Sequence, residues 1–104
     1  MQKFGFQEKK MSITAETCAA DMRAWIAEAA DYRRGRRKTV LSEIAREAGM
    51  HAQRVAAYFY GKVRAPTAHE WEMVKRWRQQ EVARRLQQID ADRAHLLAER
   101  QRNG

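Results

Sequence analysis

Cysteine and proline each occur once in this 104-residue chain, and glycine only five times. A lone cysteine, Cys18, excludes an intramolecular disulfide and leaves any four-ligand zinc site to be built from histidine. His51, His69 and His95 do not stand at the i, i+4 spacing that sets two imidazoles on one helix face, so no metal and no other cofactor is expected. No apolar run is long enough to cross a bilayer, and a mean hydropathy of −0.82 with 33% charged residues excludes a membrane-embedded protein. The stretch Met1 to Lys10 is polar and lacks the apolar centre of a secretory signal, so a cytoplasmic location is expected. No histidine, cysteine or carboxylate cluster has the spacing of a nucleophile and base or of a metal pair, so catalysis is not expected.

Few helix breakers and no sustained apolar/polar alternation predict an all-α chain. A first helix is predicted over 15–32, capped by Ser12 or Thr14. Its apolar positions Cys18, Met22, Trp25, Ile26 and Ala29 recur at helical spacing. Residues 1–12 lack that pattern and are expected to be flexible, with Met11 an alternative start. Five cations in the six positions Arg33 to Lys38, around Gly35, predict a loop. Thr39 then caps a short helix over 40–48 that Gly49 ends, and another helix follows over 52–60, ended by Gly61. Pro66, and Thr67 with Glu70 as a capping box, open the last helix, which nothing interrupts from Ala68 to about Arg102.

Trp71, Val74 and Trp77 are placed to cover a core, and with Trp25 the tryptophans read as core or interface anchors. Val82, Leu86, Ile89, Arg93 and Leu96 then step by four and three. That is a short heptad seam, and Val82, Leu86, Ile89 and Leu96 are candidates for dimerisation. The domain plan is a flexible segment over 1–12, a compact domain over 13–78 and an oligomerising helix over 79–104.

The excess positive charge is concentrated. The net charge is +8, and residues 33–64 alone hold nine basic against two acidic side chains. A merely soluble basic protein does not account for that clustering, whereas a polyanionic partner does. Glu43 and Glu47 read as solvated neighbours on a helix face near Arg46.

Within Leu41 to Tyr60 two short helices meet at a tight turn. Such a crossing needs a small residue, Ala45, and a residue tolerant of positive φ, Gly49, with Ile44, Ala48, Met50, Val55 and Tyr58 or Phe59 filling the wedge. On these residues, and on the following order Gly61, Lys62, Arg64, Pro66, Thr67, the segment 40–75 resembles the helix-turn-helix proteins of the lambda repressor and Cro type. The resemblance implies a helix-turn-helix bundle of four to five helices with a long C-terminal helix, in which the helix over 52–60 enters the major groove of double-stranded DNA.

On that resemblance, Ala52, Gln53, Arg54, Ala57 and Tyr60 are the candidate base contacts. Gln53 suits adenine, Arg54 suits guanine or a phosphate, and the alanine methyls suit thymine. Arg36, Arg37, Lys38, Thr39, His51, Lys62 and Arg64 are the candidate phosphate contacts. Two positions depart from the family pattern: His51 stands where a small capping residue is usual, and Leu41 where a polar phosphate contact is common. The expectation is a sequence-specific regulator, a repressor acting as a homodimer, of bacterial or phage type and nucleoid-associated, with no small-molecule ligand. Two other classes fit the same sequence: a phage packaging protein resembling a small terminase subunit, whose last helix builds a ring, and a phage inhibitor that uses the helix-turn-helix to hold a protein.

Overall fold

The computed structural model describes residues 14–103, and the expectations for residues 1–12, Ser12 as a cap among them, lie outside these. The described chain is all-helical: α1 (Ala15–Arg33), α2 (Arg37–Ala48), α3 (Ala52–Phe59) and α4 (Ala68–Asn103).

Thr14 caps α1, its Oγ1 accepting from the Thr17 N–H at 3.1 Å, and Glu16 adds negative charge in the first turn, where the helix dipole favours it. The helix ends with Arg34 in the left-handed region at φ 56°. Gly35 then passes so close to α2 that a Cβ on it would stand 2.9 Å from Val40 Cγ2. This tight reversal takes up only residues 34–36, so α2 begins earlier than the sequence indicates. Arg37, Lys38 and Thr39 form its first turn instead of lying in a loop, and Thr39 is not its cap. Arg36 occupies the cap position with extended backbone and no side-chain cap bond.

Gly49 ends α2 at φ 78°, with the Met50 N–H bonded to the Ala45 carbonyl at 2.9 Å, the closure that a glycine in this conformation permits. At the end of α3 the Lys62 N–H bonds the Ala57 carbonyl at 2.8 Å, with Gly61 at φ 72°. The helix itself stops at Phe59, one residue short of expectation, and Tyr60 caps it.

The core is one cluster: Met22, Ile26 and Ala29 from α1, Val40, Leu41, Ile44 and Ala45 from α2, Val55 and Tyr58 from α3, and Val74 and Trp77 from α4. Ala19 is buried on α1, while Cys18 and Trp25 are only half-buried; Trp25 stacks on Trp71 with ring centroids 5.6 Å apart. Leu41 is buried in the apolar wedge, with only its edge reaching the surface.

After Glu81, α4 leaves the domain and continues as an exposed helix. The radius of gyration is accordingly 18.3 Å, against about 13 Å for a compact chain of this size.

Candidate nucleic-acid interface

Side chains of α2 and α3 line a shallow groove of about 490 Å³, formed by Arg37, Lys38, Leu41, Ser42, Ala52, Gln53, Ala56 and Tyr60. The sequence candidates on α3 divide around it. Ala52, Gln53 and Tyr60 are exposed, Ala57 is half-buried, and Val55 and Tyr58 turn into the core as their period requires. Tyr60 packs edge-on to Phe59, and the Arg37 guanidinium lies 5.3 Å from the Phe59 ring centre. The start of α2 is thereby held beside the end of α3.

Arg54 is placed differently from the expected base contact. It donates to both carboxylate oxygens of Glu70, Nε to Oε2 at 2.8 Å and Nη2 to Oε1 at 2.7 Å. The Tyr58 hydroxyl donates to the same Glu70 oxygen at 2.6 Å. The Arg54 hydrogen bond holds Glu70 below the usual carboxylate range, and burial together with Glu70 raises the Tyr58 phenol above its usual value. The Thr67 hydroxyl accepts from the Glu70 N–H at 3.0 Å, so half of the expected capping box forms while the Glu70 carboxylate bridges α3 and α4.

The cations sort into two populations. Among the described residues Arg34, Arg36, Arg37, Lys38, Lys62 and Arg64 are exposed and in no ion pair, whereas Arg33, Arg54, Arg78, Arg84 and Arg85 are all paired. Three of the paired set, Arg33, Arg84 and Arg85, surround Glu81, only 3% exposed, at the point where α4 leaves the domain. Glu81 accepts from Arg33 at 2.7 Å, from Arg85 at 2.9 Å and from Arg84.

Next to it, Glu47 accepts from Arg33 at 2.8 Å, Arg84 at 3.2 Å and the Trp77 indole N–H at 3.0 Å. Burial pushes the Glu47 carboxyl up, but these three donors more than offset it and hold it at about 2. Glu43 also reaches Arg33, at 3.4 Å. Glu43 and Glu47 thus remain partly exposed, as their spacing indicates, but neither pairs with Arg46. Their partners come from other helices. The Arg85 guanidinium covers the Tyr32 ring at 4.0 Å and bonds Glu28.

Helix termini separate the same two regions. The chain before α1 and before α4 supplies a threonine cap, Thr14 and Thr67, and each first turn holds an acid, Glu16 and Glu70. In α2 and α3 the cap residues Arg36 and His51 make no side-chain cap bond, and neither first turn holds an acid. The α2 terminus carries Arg36, Arg37 and Lys38, charge of the sign that a helix N-terminus disfavours. Helix N-termini without a side-chain cap thus coincide with the unpaired Arg37 and Lys38 at the groove, and a phosphate answers both.

No family model matches the chain, and no curated protein or solved structure matches it either.

Proposed function

We propose that this protein is a sequence-specific, double-stranded DNA-binding regulator in which α2 and α3 act as a helix-turn-helix, with α3 in the major groove and α4 joining two copies. The observation that carries the reading is the pair of uncapped, acid-free helix N-termini under a free cluster of cations. Backbone phosphates would bind Arg36, Arg37, Lys38, Lys62 and Arg64 together with the N–H groups around Thr39 and His51. Base edges would meet Ala52, Gln53, Ala57 and Tyr60.

Arg54 enters this reading as a positioning residue: its bond to Glu70 fixes the angle of α3 against α4. With one amide and three largely apolar groups on the reading face, part of the discrimination falls to DNA shape. A homodimer with a two-fold operator, repressing by occlusion on the chromosome or a phage genome, completes the proposal.

Selection of duplexes from a random pool at about 150 mM salt, where non-specific affinity is weak, tests it. A two-fold symmetric consensus supports the regulator, and Gln53→Ala should then change the selected bases. Replacing Arg36 and Arg37 by alanine should instead weaken all duplexes alike and lower the salt slope by about two. Enrichment of nothing overturns the reading in favour of an assembly or protein-holding role.

A further inference from the structure

Beyond Arg85 no hydrogen bond or ion pair ties α4 to another helix among the described residues, yet its surface is not uniformly polar. Val82, Leu86, Ile89, Leu96 and Leu97 are between 38 and 61% exposed. Val82, Leu86, Ile89 and Leu96, with Arg93 and Arg100, form a row in alternating steps of four and three, so that Val82, Ile89 and Leu96 take heptad position d while Leu86, Arg93 and Arg100 take position a, and Leu97 lies beside the row at position e. This row lies roughly a third of a turn around the helix from the side that Val74, Trp77 and Glu81 press against the domain. A second helix can therefore lie along it without displacing the domain.

Charge identifies the occupant. Each arginine on the seam follows an acidic residue at position g, Asp92 before Arg93 and Glu99 before Arg100, seven residues apart. Asp92 accepts only from Gln88, at 2.9 Å, and Glu99 lies 4.0 Å from Arg102, while Arg93 and Arg100 have no ion pair among the described residues. In a parallel pair an a side chain packs beside the g side chain of the facing helix.

We propose that α4 pairs with α4 of a second copy of this chain, parallel and in register, Arg93 reaching the partner's Asp92 and Arg100 the partner's Glu99. This pairing deepens the dimer of the proposed regulator, while the choice of a second copy as occupant stands on the charge pattern of the row. The arginines weaken the seam relative to an all-apolar one but fix its register, as single polar a positions do. Sliding by one heptad strands Arg100 past the end of the facing acids and shortens the apolar contact. Antiparallel pairing about the middle of the row sets the Asp90 and Asp92 carboxylates of the two copies side by side. A parallel pair also brings both α2–α3 units to the same end, side by side, as a two-fold symmetric duplex would require.

The test uses the full chain without DNA, so its outcome is independent of whether any duplex is bound. In a Cys18→Ser background, Leu86→Cys and Leu96→Cys are oxidised separately and as a mixture. The expected result is a disulfide-linked dimer from each variant alone. Linkage in the mixture but in neither variant alone would reveal an antiparallel pair and overturn the inference. A single chain by sedimentation with no linkage, or a closed ring of many copies, overturns it too, and leaves DNA binding to be judged by the duplex selection. Asp92→Arg should weaken the dimer severalfold and Arg93→Leu should strengthen it, with helix content unchanged by circular dichroism. A dimer indifferent to Asp92→Arg overturns the charge ladder.

Discussion

Arg54 and Glu70, sixteen residues apart, meet fork to fork through bonds of 2.8 and 2.7 Å and tie α3 to α4. Arg54 is 42% exposed at its side chain, so water screens the pair, and Arg54→Ala should cost about 1 kcal/mol. Glu70→Ala should cost more, about 2 kcal/mol, because it also leaves the buried Tyr58 hydroxyl without its acceptor. Adding Tyr58→Phe to Glu70→Ala should recover part of that loss. Urea unfolding of the single and double variants measures the coupling, and a coupling near zero would mean that the fork does not form in solution.

Acid should unfold the protein in a definite window. Folding lowers the Glu47 carboxyl from its ordinary 4.5 to about 2, so the stability it contributes is complete above pH 4.5 and is lost as pH falls from there towards 2. Glu70 and Glu81 are lowered as well and act in the same direction. Melting temperatures recorded from pH 7 to 2 should fall along this limb, and Glu47→Gln should make the fall shallower. An identical acid limb in that variant would contradict the assignment.

Glu81→Gln should be among the most damaging single changes outside the apolar core, at about 3 kcal/mol, because it leaves Arg33, Arg84 and Arg85 around a neutral acceptor in a buried position. Its Glu99→Gln counterpart on the exposed part of α4 should be within about 0.5 kcal/mol of the wild type in a dilute sample. Thermal unfolding of both variants compares the two sites directly.

Gly49→Ala and Gly61→Ala should each destabilise by about 1 kcal/mol, from the left-handed backbone. At Gly49 the added methyl meets Met73 Cε at an ordinary 3.4 Å, so the penalty is conformational; at Gly61 it meets the Arg23 guanidinium at 3.2 Å, a flexible group that can move aside. Gly49→Asn should therefore be milder than Gly49→Ala, since asparagine tolerates this region better. Equal melting temperatures for glycine, asparagine and alanine at position 49 would contradict the backbone account.

Features set by neighbours in sequence were legible before the structure. Thr14 and Thr67 as caps, Gly49 as the end of α2, and the uninterrupted run of α4 all depend on residues within one or two turns. The start of α2 was misplaced because charge density implied a loop, whereas the reversal is accomplished by Arg34 and Gly35 alone, and the following cations point outward without disturbing the helix. The cluster around Glu81 was invisible because Arg33 and Glu81 stand 48 residues apart. Glu70 fitted a capping box locally, and nothing in that spacing reveals that its carboxylate would be claimed by Arg54. On the candidate interface, helical period alone sets Gln53, Ala56, Ala57 and Tyr60 outward; Gln53 and Tyr60 are exposed, whereas Ala56 and Ala57 are half-buried, and the commitment of Arg54 required knowing where α4 lies.

A single helix carries both Trp77, locked in the core, and the exposed row that begins at Val82, with no joint between them. The orientation of that row relative to the domain is therefore counted out in residues. One residue inserted after Glu81 would swing the whole row by about 100°, while seven would restore its facing and move it about 10 Å further out. Length variation in this segment is quantised, and a chain that keeps the arrangement can lengthen or shorten its arm only in steps such as seven or eleven residues that return the row to nearly the same facing.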